Sequence, residues 1–182
     1  MPNAPDITTL LSAARLGDVR AEAELFSVLY SDLHHLAHSR LRRSRPCMLL
    51  ETTALVHEAY LRLNRAGYIQ IADRSHFLGY AASAMRSIVV DLVRKSAAAR
   101  REFVVDVNSI ADPASLAANE ILRVDQALKD LGQVNGRLVK VVEMRYFAGM
   151  KEAEIAEALC LTERTVRRDW EKARMLLATA LS

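Results

Sequence analysis

The residues best suited to chemistry in this chain are a basic set near its carboxyl end, Arg164, Arg167, Arg168 and Lys172, interleaved with Glu163 and Thr165. At helical spacing these six share one side, while Val166, Trp170, Ala173 and Leu177 share the other. A guanidinium is a planar fork of donors, so it can take guanine O6 and N7 together or grip a phosphate. Thr162 stands just ahead of the set, where its hydroxyl can accept a backbone N–H one turn on and start the helix. Upstream, Ile155, Ala156 and Leu159 mark the inner face of a shorter helix. Two helices across a tight turn, the second apolar on one side and arginine-rich on the other, have the pattern of a helix-turn-helix whose second helix enters the DNA major groove. An isolated charge run is ordinarily a solvated face. Here cap, turn length and apolar stripe all agree on DNA binding.

A second set lies in the middle of the chain. The polar stretch Asp73, Arg74, Ser75 and His76 reads as a loop, followed by Phe77 and Tyr80 and then by Arg86, Arg94, Lys95, Arg100 and Arg101. Aromatic residues ahead of a basic helix suit an opened strand, because unstacked bases stack on rings while cations hold the backbone. The same stripe, Tyr80, Ala81, Ala84, Ile88 and Leu92, also fits a plain core helix with both rings buried. His34, His35 and His38 invite a metal reading, but no third and fourth ligand follows at suitable spacing. His57 and Glu58 lack the second histidine of a zinc-protease motif. With no paired carboxylates beside a nucleophile and no phosphate-cradling glycine loop, neither catalytic residues nor a cofactor are expected.

The elements that must position these sets are helices. In 182 residues the chain has six Gly and four Pro, and 51% of it is hydrophobic, ample for a core. Helical stripes run through residues 7–43 with a break at Gly17 and Asp18, and through 51–65 with Leu55, Val56, Ala59, Tyr60 and Leu63 inward and Thr52 or Thr53 as cap. Pro46 and Gly67 should end these two segments. Helical pattern fails from Phe103 to Ala118, then resumes from Asn119 with a break at Gly132 to Gly136. Residues 103–122 carry Asp106, Asp112 and Glu120 with no Lys or Arg, so an acidic linker separates two mildly basic modules. Cys47 and Cys160 are expected to be reduced thiols. No apolar run is long enough for a membrane span, and MPNAPDITTLL lacks an export signal, so a cytoplasmic protein without a membrane partner is expected.

The stretch EIAEALCLTERTVRRDWEKAR resembles the promoter-binding region four of bacterial sigma factors, especially the extracytoplasmic-function (ECF) class of the sigma-70 family. Cys160 stands where such sequences usually have Gly; if the turn needs positive φ there, the side chain costs on the order of 1 kcal/mol. Lys151 stands where a capping Ser or Thr is common, which implies a weak cap. The segment from Glu51 resembles region two, which normally opens with an acid-rich tetrapeptide and binds the clamp helices of the largest polymerase subunit. This chain offers Glu51, Thr52, Thr53 and Ala54 instead.

The resemblance implies an all-α protein of two small helical domains, residues 7–101 and 121–182, joined by a linker at 102–120. It implies a sigma factor that directs core RNA polymerase to promoter DNA and initiates transcription without an active site of its own. Core polymerase would be met by Glu51, Leu55, Val56, Glu58, Tyr60 and Leu63. The minus-ten element would be met by Asp73, Arg74, Ser75, His76, Phe77, Met85, Arg86 and Arg94, and the minus-thirty-five element by Thr162, Glu163, Arg164, Thr165, Arg167, Arg168 and Lys172. A phosphate on Thr52 or Thr53 would restore the missing negative charge at a helix N-terminus, so control by a serine/threonine kinase is implied beside control by an anti-sigma factor. The alternatives are that Thr53 is only a cap, and that the chain is a stand-alone helix-turn-helix regulator with an N-terminal sensing or dimerisation domain.

Overall fold

Four helices begin where a side chain takes orphan N–H groups of the first turn. Asp6 accepts from Thr8 N at 3.2 Å and opens α1 (Ile7–Arg15). Gly17, at φ 84°, turns the chain, and Asp18 Oδ1 then accepts from Arg20 N (2.9 Å) and Ala21 N (3.3 Å) to open α2 (Val19–Ser44). Asp73 opens α4 (Arg74–Phe103) and Thr162 opens α7 (Glu163–Leu181). Between them lie α3 (Thr52–Arg65), α5 (Pro113–Val142), a π-helical turn (Glu143–Phe147) and α6 (Glu152–Ala158). The computed structural model describes residues 6–44, 51–65, 71, 73–103 and 113–182, and every regular element among them is helical. The expected helix ends at Pro46 and Gly67, Cys47, and linker residues 104–112 lie outside the described residues.

Three boundaries differ from the sequence expectation. Arg74, Ser75 and His76 form the first turn of α4 rather than a loop, because Asp73 supplies a cap. α5 starts at Pro113, inside the expected linker; proline suits a first helical turn because its missing N–H has no partner there anyway. Leu55 N donates to Glu51 O at 3.1 Å, so Glu51 is the cap residue of α3 and both threonines lie inside its first turn. The break expected between Gly132 and Gly136 narrows to Asn135, which leaves helical geometry (φ −160°, ψ 99°) and accepts from Arg137 N at 3.0 Å to restart the helix.

Leu11, Leu25, Leu29 and Leu33 of α1 and α2 pack on Leu55, Val56, Ala59 and Leu63 of α3 and on Phe77, Met85, Ile88 and Val89 of α4. Burial of each such leucine contributes roughly 2 kcal/mol. The same apolar cluster runs on through Leu128, Leu131, Leu138 and Val142 of α5 to Phe147 and Ala173. A smaller cluster, Val141, Met144, Met150, Ile155, Ala156 and Val166, sits beneath the α6–α7 hairpin.

The turn between α6 and α7 closes a helix C-terminus with two bonds, Cys160 N to Glu157 O (3.1 Å) and Leu161 N to Ala156 O (2.8 Å). That pattern needs a left-handed residue, and Cys160 takes it at φ 53°. Relief of left-handed strain is worth about 1–2 kcal/mol, less the roughly 0.5–1 kcal/mol by which glycine loosens the unfolded chain. Cys160→Gly is therefore expected to stabilise the protein by about 0.5–1 kcal/mol, seen as a higher urea midpoint at unchanged slope. A lower midpoint would refute the strain argument.

Candidate nucleic-acid interface

α7 is held at three levels. Thr162 Oγ1 accepts from Thr165 N at 3.2 Å and caps it, and Val166 and Ala173 are fully buried. Asp169 is also buried, 3% exposed, and takes Arg137 Nε at 2.7 Å from the restarted end of α5. A buried carboxylate deprived of its cation is costly, so this pair fixes the rotation of α7 about its axis. Outside it, the Arg145 guanidinium lies 5.0 Å over the Trp170 ring and donates to Glu152 Oε1 at 2.5 Å.

With that face inward, Glu163, Arg164, Arg167, Arg168 and Lys172 are exposed and Thr165 is half-buried. The Arg168 side chain is 72% exposed, with its Nη2 3.8 Å from Asp169 Oδ1. Arg167 bends back across the turn, its Nε and Nη2 donating to Glu152 Oε2 at 3.1 and 2.8 Å. These hydrogen bonds, with the charge of Glu152, hold the guanidinium above its ordinary pKa; the bonds from Arg167 and then Arg145 hold Glu152 below the usual carboxylate range. At Lys151 the ammonium has no lone pair to cap with, and Glu154 instead accepts the Lys151 N–H at 2.7 Å. Asp169, Arg137, Arg145 and Glu152 escaped the sequence reading. Asp169 had a signal: it falls three residues after Val166 and four before Ala173, a charge on the apolar stripe.

α4 differs more from expectation. Asp73 accepts from His76 N and from the His76 ring, each at 2.9 Å. Burial alone would push its carboxyl up, but these bonds, the charge of His76 and the Ser75 N–H together hold it below the usual range. Arg74 forks onto Asp32 of α2 at 2.8 and 3.1 Å, and Ser75 is half-buried. Phe77, 1% exposed, and Met85, 0% exposed, belong to the core and face no groove. Among the described residues of α4, an aromatic ring on the surface is that of Tyr80, at 38%. Helical geometry explains the exchange: the apolar stripe of α4 is centred on Phe77, Ala81, Met85 and Ile88, one position away from Tyr80.

Arg86 and Arg94 reach the far side of α4, and there both meet carboxylates of the C-terminal helices. Arg86 donates from Nη1 to Asp125 Oδ1 (2.5 Å) and from Nε to Glu143 Oε1 (3.0 Å), and Arg94 Nη2 reaches Asp125 Oδ2 at 3.0 Å. The sequence could not announce these pairs, since their partners lie 31 to 57 residues apart.

The expected polymerase-facing residues of α3 divide in the same way. Leu55, Val56 and Leu63 are sealed at 0% exposure against α2 and α4, so they build the fold and offer no surface. Tyr60 is half-buried, its ring 4.3 Å from that of Phe26 and its hydroxyl donating to Glu22 O at 3.2 Å. Glu51, Thr53, Ala54, His57 and Leu61 face outward, Leu61 at 47%, while Thr52 and Glu58 are half-buried. Among the described residues, no group of three or more His, Cys, Asp or Glu side chains could hold a metal ion, and no helix is long and apolar enough to cross a membrane.

The family model described as ECF sigma factor matches residues 4–182 of the chain. No curated protein matches it.

The Asp73 cap gives a pH-dependent expectation. Its carboxyl is held below 3.8, so its contribution is complete above that value and is lost as the pH falls through the lowered one. Asp73→Ala should cost about 1 kcal/mol at neutral pH, and the gap between variant and parent in urea unfolding should close on acidification. A gap that stays constant down to strongly acidic pH would show that the carboxylate is not the cap.

Proposed function

The chain belongs to the ECF sigma factor family, and from that membership we propose that it reads promoters through the two helices described above, α7 at the minus-thirty-five element and α4 at the minus-ten element. It is an RNA polymerase sigma factor acting in transcription initiation, and the family is non-catalytic: chemistry belongs to the polymerase, binding to the sigma factor. The observation that carries the α7 assignment is the pair that buried Asp169 makes with the half-exposed Arg137, which turns Arg164, Arg167, Arg168 and Lys172 outward together. Arg168 suits base readout because its fork is largely open to solvent. Arg167, tethered by Glu152, suits a phosphate.

The working division is residues 7–101 for polymerase and minus-ten contact and 121–182 for minus-thirty-five contact. On α4 and its cap the residues for the minus-ten strand are Asp73, Arg74, Ser75, His76, Tyr80, Arg86 and Arg94, with Phe77 and Met85 supporting them from the core. Core polymerase docks on the outward side of α3, where Glu51, His57, Glu58 and Leu61 are accessible. That side opens with one acid and two threonines. A phosphate on exposed Thr53, in the first turn of α3, adds roughly −1.5 to −2 charge beside Glu51 and strengthens docking on a basic partner. A serine/threonine kinase is thus the activating partner in this reading.

Promoter-directed transcription with purified core enzyme tests the function. Arg168→Ala is expected to weaken holoenzyme binding to the upstream element by about 1–3 kcal/mol and to relax its selectivity; unchanged affinity and selectivity would put another face of α7 on DNA. Thr53→Glu, or threonine-phosphorylated protein, should support more transcript than Thr53→Ala. Equal transcript from all three would dispose of the kinase reading.

A further inference from the structure

We propose that Asp125 and Glu143 latch the free protein in a closed form, in which the chain's own carboxylates occupy the α4 arginines that the minus-ten strand needs. This rests on the reading of α4 as the minus-ten surface. All three guanidinium nitrogens of Arg86 are engaged: Nη1 with Asp125, and Nε and Nη2 with Glu143 at 3.0 and 2.9 Å. Only 16% of that side chain remains exposed. Asp125, itself 4% exposed, gathers Arg94 Nη2 and Lys129 Nζ, each at 3.0 Å, on its other oxygen. Glu143 takes Ser83 Oγ at 3.3 Å as well.

A guanidinium fork that fits a carboxylate also fits a phosphate, so the latch and the DNA backbone compete for the same donors. The contact is shaped for close approach. A Cβ placed on Gly79 of α4 would stand 2.7 Å from Met144 Cε and 3.3 Å from its Cγ, so the side chain of Met144 in the π-helical turn, next in sequence to Glu143, which meets Arg86, fills the notch left at Gly79. The fit joins the two halves, because the partners come from α4 on one side and from α5 and the π-helical turn on the other. Three ion pairs, Arg86 with Asp125 and with Glu143 and Arg94 with Asp125, cross this contact beside the apolar cluster that runs from α4 into α5; desolvation offsets much of their attraction, and arginines withdrawn from them are satisfied by DNA.

A closed state populated at about 90% lowers apparent affinity for the minus-ten strand by about tenfold. The test uses the full chain in two variants, Asp125→Asn with Glu143→Gln, which keeps shape and removes charge, and Gly79→Leu, which wedges Met144 away and leaves every charge in place. Small-angle X-ray scattering reports compaction, and fluorescence anisotropy with a single-stranded minus-ten oligonucleotide reports access to α4. The expected result for a variant that melts cooperatively is a larger radius of gyration and roughly tenfold tighter strand binding than the parent. Folded variants as compact as the parent, with unchanged strand affinity, would overturn the latch while leaving the sigma-factor reading intact. If neither parent nor variants bind the strand even with core polymerase present, the assignment of α4 fails and takes the latch with it.

Discussion

A carboxylate that has lost its water must be answered by cations, and Asp125 is where that demand shapes this molecule. It is nearly sealed, and its two oxygens are met by two arginines from α4 and one lysine of its own helix. Arginines suit the task because a delocalised guanidinium is less strongly hydrated than an ammonium and presents donors in a plane. The apolar cluster that continues from α4 into α5 supplies contact area in any number of rotations; the charged pairs select one. Through them α5 is set against α4, and through α5 the C-terminal hairpin is set against the N-terminal helices.

The same logic recurs inside the hairpin at Asp169. There the cation comes from Arg137, immediately beyond the Asn135 kink, so the kink helps place α7: without a change of direction at that point α5 would carry Arg137 elsewhere. Glu152 acts further out, dividing its two oxygens between Arg145, which lies over Trp170, and Arg167 on the exposed face. α7 is thereby braced through its own ion pairs as well as its apolar stripe. In the proposed reading of α7 such bracing serves DNA readout, because a fork must meet base edges within a few tenths of an ångström.

Much of this was legible from residue order. The cap at Thr162, the stripe of Val166, Trp170, Ala173 and Leu177, the left-handed demand at Cys160 and the break near Asn135 are local matters, each decided within one or two turns of chain. The ECF resemblance drew on that order and agrees with the family match over residues 4–182. Less legible was which apolar residues could meet a partner. Leu55, Val56 and Leu63 read as a docking stripe, but the same periodicity that makes a stripe also makes a core, and here α2 and α4 cover it. Phe77 and Met85 went the same way, while Tyr80, one position off the buried centre, stayed outside.

By itself the sequence determined the helices, the Thr162 cap, the two-helix pattern across the α6–α7 turn and the family, because hydrogen bonding within a turn and apolar periodicity depend only on near neighbours. Tertiary structure alone decided which charges are spoken for. Arg86 and Arg94 look as available in the sequence as Arg168 does, yet two are answered by carboxylates from distant helices and one stands mostly in water. The physical reason is range: an ion pair forms wherever the fold brings opposite charges within a few ångströms, and nothing in the spacing of residues along the chain encodes that meeting.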